Sequence, residues 1–421
     1  MTAADRARAG LVDGLLTSGR IRSPAVEEAL RTVPRHLFLP GVTLQTAYAD
    51  DTVAVQYVDG LATSSASQPS MVAIMLEQLD LRPGHRVLEI GAGTGWNAAL
   101  MARIVGPAGR VTTVDIDPDL VAGTTAHLAA AEVATAEVAA AEVAAAEVAA
   151  PVEVICADGV LGHPEGAPYD RIVLTVGSGD IWPAWVEQLA PDGRLLLPLG
   201  LRGSQLSVAL DLASDGRLHS HSVRSCGFIR LRGSGASVGP SAALPGGLTL
   251  HGTEDGPAFD PGALAAVLDE PGEPVTSPVR LVAADVWDGF GLWLALTEPG
   301  AGRLMGAATG PLASAVDSLA LVLATAAGAA QAGVAALVSE AEGGASTVRP
   351  FGAAGPACAD RLLDALDTWV AAGSPAAPDW RITVVPGPAP PGAAAVGKEH
   401  CHLLLEPARR AGSTGTIRPP V

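Results

Sequence analysis

The sequence predicts an α/β fold over its first half and an α+β unit after it. Three observations carry this. Short β-branched runs alternate with segments of helical periodicity, the mark of a parallel sheet wound on both faces. The first of these runs ends in a glycine turn that opens a helix. Residues 233–262 are then rich in Gly, Ser and Pro and read as a linker, so the domains are drawn as 1–235 and 236–421. A chain of 421 residues has room for two domains of about 100–200 residues each.

Residues 1–80 read as helices and loops leading into a first apolar run. HRVLEIGAG (85–93) is a strand ending in glycines, and TGWNAALMARIVG (94–106) is a helix with apolar residues at helical spacing. RVTTVDID (110–117), VEVICADG (152–159) and YDRIVLTVGSG (169–179) are the next three strands. WPAWVEQLAPDG (182–193) reads as a helix with a glycine stop, and RLLLPLG (194–200) as the strand after it. LSVALDL (206–212) and HSHSVRSCGFIRL (219–231) are expected as antiparallel edge strands closing the domain.

The tract AAEVATAEVAAAEVAAAEVAAP (130–151) repeats every five residues, a step of about 140° on a helix, so Glu and Val wind around it without one apolar stripe. It predicts a largely solvated helix with no catalytic role. In the second domain, PVRLVAAD (278–285), GLWLALT (291–297) and SLALVLAT (318–325) read as strands. CADRLLDALDTWVAAG (358–373) is an amphipathic helix with Leu362, Leu363, Leu366 and Trp369 as its packing face. WRITVVPG (380–387) and HCHLLLEP (400–407) close the chain as strands.

Charge and cysteine usage exclude several classes. With 26 basic against 44 acidic side chains the net charge is −18, and only Lys398 is a lysine. Phosphate neutralisation needs a basic face, so no nucleic-acid partner is expected. The start MTAADRARAG has charges where a signal peptide keeps its apolar core. Cys156, Cys226, Cys358 and Cys401 are scattered, without zinc or redox spacing, and a cytoplasmic protein with reduced thiols is expected. Leu319–Val338 is uncharged and of bilayer length, but it is mostly Ala and Gly and reads as a buried strand with a small-residue loop, so no membrane span is expected. His219 with His221, and His400 with His402, alternate along strands. Neither pair has a third ligand, so no metal is expected.

The strongest local signal is VLEIGAGTGW (87–96). Gly91, Gly93 and Gly95 follow a strand and open a helix, which lets a ligand approach the backbone closely. Trp96 stands where a dinucleotide fingerprint wants a small residue, and Glu89 would set a carboxylate beside a pyrophosphate. A cationic ligand with an amino-acid end suits Glu89 better, and S-adenosylmethionine is such a ligand. Asp115, closing the second strand, can accept from both ribose hydroxyls, and Asp158-Gly159 would lie beside the adenine. The bland alternative for these aspartates is helix capping.

Two further elements, VPRHLFLP (33–40) and SSASQPSMVA (64–73), precede the first strand, and SCGFIRLRG (225–233) follows the last. With VLEIGAGTGW and the strands above, they resemble the protein-L-isoaspartate O-methyltransferase family from about residue 20 to 233. The resemblance implies a Rossmann-like class I methyltransferase domain that uses S-adenosylmethionine. It implies Ser67 as the active-site serine, with Ser65 in the place of a threonine beside it. Glu89, Gly91, Gly93, Thr94, Asp115, Asp158 and Gly159 fall on its cofactor-contacting positions. His36, inside PRHLF, is expected to pack or hydrogen bond. FIRL stands where the family has F-V-P-L near Phe228, the alanine-rich tract is inserted, and a second domain is appended.

The chemistry needs little from the protein beyond placement. An aspartyl or isoaspartyl carboxyl has a pKa of about 4 and is ionised at neutral pH. It needs no general base to attack the methyl of a sulfonium, only in-line orientation. Hydroxyls such as those of Ser67 and Ser65 can provide that orientation, and no G-x-S-x-G elbow marks Ser67 as a hydrolase nucleophile. The second domain resembles that of larger relatives associated with ribosomal-peptide (lanthipeptide and graspetide) biosynthesis. The expected substrate is therefore an aspartate of a modified, cyclised precursor peptide, carried through its methyl ester to succinimide or isoaspartate. The second domain is expected to recognise that peptide, with Trp287, Phe290 and Trp293 as candidate contacts. The alternatives are general repair of isoaspartyl proteins and a non-catalytic S-adenosylmethionine-binding scaffold.

Overall fold

The computed structural model of the chain describes residues 1–142, 149–237, 241–254, 256, 260–306, 319–325, 332–339 and 346–407. The chain divides into two units, the first made of Met1–Leu199, Ser207–Ser222 and Cys226–Ala236, and the second of Gly200–Leu206, Val223–Ser225 and the chain from Ser237.

The first unit opens on helix α1 (Ala3–Thr17), which Thr2 and Asp5 cap reciprocally through side chain and backbone. Ser23 caps α2 (Pro24–Thr32), whose Pro24 fits the first helical position. After the short α3 (Leu44–Ala47), β1 (Val53–Val58) and β2 (Leu61–Ala66) form an antiparallel hairpin. No strand is expected from the sequence in this region. Its turn, Asp59-Gly60, has positive φ at both residues, which matches the twist of a two-residue hairpin. Helix α4 (Pro69–Leu79) leads into the sheet.

Strand β3 (Arg86–Ile90) is buried from Val87 through Ile90, as a strand covered on both faces must be. It is followed by α5 (Trp96–Val105), β4 (Arg110–Asp115), α6 (Pro118–Glu142), β5 (Val152–Cys156), β6 (Tyr169–Leu174), α7 (Pro183–Glu187), β7 (Leu189–Leu201), β8 (Ser204–Leu212) and β9 (Leu218–Ser225). The strand order is β9-β8-β7-β6-β3-β4-β5, with the β3–β4, β4–β5, β3–β6 and β6–β7 pairs parallel. The chain leaves β3 toward β4 and β5, then returns to β6 on the other side. That reversal is a topological switch point, where open α/β sheets bind ligands beyond the carboxyl ends of their strands.

The α/β class and its strands are as expected, with three differences. The helix at 182–193 stops at Glu187, and Leu189–Gly193 already belongs to β7, which bends where Asp192 takes a φ of 59°. β9 stops at Ser225, and FIRL leaves strand geometry to run along the ligand crevice. The alanine-rich tract is helical to Glu142, and residues 143–148 lie outside the described residues.

The second unit contains β10 (Ser241–Leu244), β11 (Leu248–Gly252), α8 (Pro261–Leu268), β12 (Val275–Thr276), α9 (Ala283–Trp287), α10 (Phe290–Thr297), β13 (Ala301–Met305), β14 (Leu319–Ala324), β15 (Val334–Ser339), β16 (Ser346–Phe351), α11 (Gly355–Ala371), β17 (Trp380–Pro386), β18 (Val396–Gly397) and β19 (Cys401–Pro407). One antiparallel sheet has the order β10-β11-β13-β14-β15-β16-β12, and β18-β19-β17 are a second antiparallel set. Helix α11 packs on β14, β15 and β16. Leu362, Leu366 and Trp369 are buried on its inner face, with Leu363 partly buried.

Three expectations differ here too. GLWLALT is helix α10, because a run buried from Phe290 through Leu296 has neither strand nor helix periodicity to read. PVRLVAAD holds no strand, and its last residues start α9. The expected linker contains β10 and β11. Leu319 to Val338 carries the paired strands β14 and β15, and among the described residues no helix is long and apolar enough to cross a membrane. The Lys398 side chain is 4% exposed, its ammonium donating to the Gly200 carbonyl at 2.8 Å and standing 3.8 Å from Glu254.

Candidate active site

The glycine turn sits at the end of β3 with φ of 103° at Gly91, 54° at Gly93 and 88° at Gly95, values L-residues with side chains rarely adopt. A Cβ on Gly91 would stand 2.6 Å from Thr175 Oγ1, and one on Gly95 2.9 Å from Thr124 Cγ2. On Gly93 it would meet nothing closer than the Ser65 carbonyl at 3.9 Å, so this face of the turn is open. Thr175, at the end of β6, donates to the Gly91 carbonyl at 2.6 Å. Thr124 donates to the Gly93 carbonyl at 3.1 Å. The turn is thereby held by Thr175 and Thr124, and Gly91 and Gly93 line a cleft.

Two carboxylates flank it. Glu89 is fully buried, accepting from Asn97 Nδ2 at 2.8 Å and Thr113 Oγ1 at 2.6 Å. Burial pushes its carboxyl up to about 7, with nearby Asp115 adding to the rise and the two hydrogen bonds opposing it. Asp115 accepts from the Gly93 N–H at 3.2 Å through Oδ2 and from the Asp117 N–H at 3.1 Å through Oδ1. Arg232 stands 3.8 Å from Asp115 Oδ1 and 3.3 Å from Asp117 Oδ2.

Ser64, Ser65 and Ser67 come from β2 and the residues just after it, and all three line the cleft. Arg35 holds this segment in place. It is fully buried and donates to the carbonyls of Ala47 (2.8 Å), Ala49 (3.3 Å), Asp51 (3.3 Å) and Ser67 (3.0 Å). Burial lowers its pKa to about 10, which leaves it a cation at neutral pH. Its neighbour His36 bonds the Tyr48 hydroxyl at 2.8 Å, away from the cleft.

The segment after β9 forms another wall. Gly177 donates to Ile229 and accepts from Leu231, both at 2.8 Å, which lays Phe228–Arg232 along the cleft. Ser234 then donates to Asp158 Oδ2 through its N–H (2.9 Å) and hydroxyl (2.8 Å). Burial raises the Asp158 carboxyl, but these bonds and the Val160 N–H together hold it below its ordinary value.

The cleft holds about 1020 Å³ of empty space, its open mouth included. Of the residues singled out from sequence, Ser65, Ser67, Glu89, Gly91, Gly93, Thr94, Asp115 and Gly159 line it together. Asp158 lies behind the lining, clasping Ser234. Arg35, Thr175, Asn97 and Arg232 join the site without being expected from sequence. All four lie in segments the sequence marks (Arg35 in PRHLF, Asn97 in the helix after the glycine turn, Thr175 in YDRIVLTVGSG, Arg232 in SCGFIRLRG), but their partners lie in other segments and no local spacing reports them.

S-adenosylmethionine fits these residues. Glycines without a Cβ let a ligand reach the backbone, an acid faces each side of the turn, and the cleft lies at the switch point. Fold and cleft define a class I S-adenosylmethionine-dependent methyltransferase. The model of the Protein-L-isoaspartate(D-aspartate) O-methyltransferase family matches residues 6–235, and the chain belongs to that family. A protein-L-isoaspartate O-methyltransferase of Methanopyrus kandleri is 38% identical over 228 residues, 54% of this chain and 92% of its own. One of Hyperthermus butylicus is 37% identical over 234 residues, 54% of this chain and 89% of its own. A solved protein-L-isoaspartate O-methyltransferase structure aligns over 94% of this chain and 99% of its own, at 22% identity and a TM-score of 0.49.

Proposed function

We propose that this methyltransferase esterifies an aspartyl side-chain carboxyl in a ribosomally made, modified peptide, and that the ester proceeds to succinimide or isoaspartate. The observation that carries this finer reading is the departure of the cleft wall from the family pattern. Phe228-Ile229-Arg230-Leu231 places a guanidinium side chain where the family resemblance expects proline. Beyond the family match at residue 235 stands a whole second unit, for which recognition of the peptide is the proposed role. Of its three candidate aromatics, Phe290 and Trp293 are buried and Trp287 is 44% exposed.

The site residues have distinct proposed tasks. Glu89 faces the cationic amino-acid end of the cofactor, and Asp115 accepts from the ribose. Gly91, Gly93 and Thr94 bring backbone against the ligand, and Gly159, positioned by Asp158, borders the adenine end. S-adenosylmethionine, when bound, supplies an electrophilic methyl group on a sulfonium. Ser67 and Ser65 donate hydroxyl hydrogen bonds that orient the attacking carboxylate without the charge that would quench it. The enclosing wall of Phe228–Arg232 limits water at the reacting atoms.

A second reading, general repair of isoaspartyl proteins, is favoured by identity that runs along nine-tenths of the Methanopyrus relative. Mass spectrometry separates the two. The enzyme is given a generic isoaspartyl peptide and a cyclised, aspartate-containing precursor side by side. Methylation, or loss of water, on the precursor alone supports the tailoring reading. Methylation of the isoaspartyl peptide alone refutes it in favour of repair.

A further inference from the structure

A chain of polar contacts joins the hairpin β1–β2 to the carboxylates beside the glycine turn. On the hairpin, Thr63 Oγ1 donates to Gln56 Oε1 at 3.0 Å. Gln56 Nε2 in turn donates to Asp117 Oδ2 at 2.8 Å. That same oxygen accepts from Arg232 Nη1 at 3.3 Å, and Arg232 Nη2 stands 3.8 Å from Asp115 Oδ1. Asp115 closes the chain on the Gly93 N–H. Three segments distant in sequence therefore meet at Asp117: the hairpin that leads to Ser65 and Ser67, the end of β4, and the wall after β9.

We infer that Gln56, Asp117 and Arg232 couple occupation of Asp115 to order in the hairpin that carries the substrate-side serines. The inference rests on the reading of Asp115 as the carboxylate that accepts from the cofactor. Hydroxyls donated to Asp115 Oδ1 compete with Arg232 for that oxygen and leave the guanidinium to Asp117. Asp117, pinned by Arg232 and by the N–H groups of Asp119 (3.0 Å) and Leu120 (3.4 Å), is the fixed acceptor on which Gln56 anchors the hairpin. Most of β1 and the β2 start are exposed or half-exposed, and a two-stranded hairpin is marginal alone, so this anchor governs how ordered it is. Arg232 and Gln56 are positioning residues: they set the serines through the hairpin and touch no reacting atom.

Hydrogen–deuterium exchange of the full chain, with and without saturating S-adenosylhomocysteine, tests this without the peptide substrate. S-adenosylhomocysteine should slow exchange across residues 53–66 by at least about fivefold, the lower end of ordinary coupling between sites. In Gln56→Ala that protection is lost, while protection of the Gly91–Gly95 turn persists and reports an intact fold. Affinity for S-adenosylhomocysteine falls in this variant by no more than the same factor, as reciprocity requires. Arg232→Gln loses the hairpin protection and Arg232→Lys recovers most of it. The inference is overturned by a wild-type hairpin indifferent to the ligand, or by Gln56→Ala keeping the protection. A far larger loss of affinity in Gln56→Ala overturns it too, since Gln56 would then hold the ligand itself. The reading of Asp115 fails separately, if Asp115→Ala binds S-adenosylhomocysteine as tightly as the wild type.

Discussion

The buried guanidinium of Arg35 donates to the carbonyl of Ser67 at 3.0 Å, and lies 5.1 Å from the centroid of the Trp96 ring. One side chain thus ties the serine segment to the first turn of the helix that opens after the glycines. Arg35→Met should leave the Ala47 and Ser67 carbonyls without their donor, at a cost of about 2 kcal/mol or more. Urea denaturation measures the loss. An unchanged midpoint would mean that water replaces the guanidinium at no cost.

Glu89 makes ligand-free stability depend on pH. Its carboxyl is raised by burial to about 7 from an ordinary 4.5. The unfolded chain therefore releases this proton at lower pH than the folded one, and stability falls as pH rises between those values, by about 3 kcal/mol at most. Glu89→Gln should remove that slope, so thermal denaturation at pH 5 and pH 8 should show a smaller fall in the variant.

With Glu89 at the cofactor's amino-acid end, as proposed, the same group should shape cofactor affinity. A cationic ligand favours the ionised carboxylate, so S-adenosylmethionine should bind more tightly as pH rises through about 7. Titration calorimetry at pH 6 and pH 8 reads the slope. Equal slopes in the wild type and Glu89→Gln would assign the titration to another group.

Asp115→Ala should weaken S-adenosylmethionine binding by about tenfold or more, because hydrogen bonds to a charged acceptor contribute about 1.5–3 kcal/mol each. The turn loses its Gly93 anchor as well. Equilibrium dialysis with labelled cofactor measures the change.

Ser67→Ala should lower kcat by about tenfold through one lost hydrogen bond to the carboxylate. The KM for S-adenosylmethionine should stay within about twofold, since that hydroxyl is assigned to the peptide. A variant with wild-type kcat would take Ser67 out of the chemistry.

The readable part of this site is its local part. The glycine turn, Glu89 and Asp115 lie at strand ends, where a few adjacent residues determine both conformation and exposure. Arg35 and Arg232 act across 32 and 115 residues of chain, and no periodicity reports such contacts. The hairpin at residues 53–66 lacks clean alternation of buried and exposed positions, since only Ser64 and Ala66 are buried in it. Helix α10 was hidden for the opposite reason: uniform burial erases the pattern that tells helix from strand. The strands at Ser241–Leu244 and Leu248–Gly252 were masked by turn-forming residues around them.

Lys398 has a bearing on the product. A methyl ester or succinimide of aspartate is an acylating agent toward free amines. The side chain of the only lysine of the chain is 4% exposed and its ammonium is engaged by Gly200. The chain's single side-chain amine is thus held away from solvent, which disfavours its acylation by an activated aspartyl product.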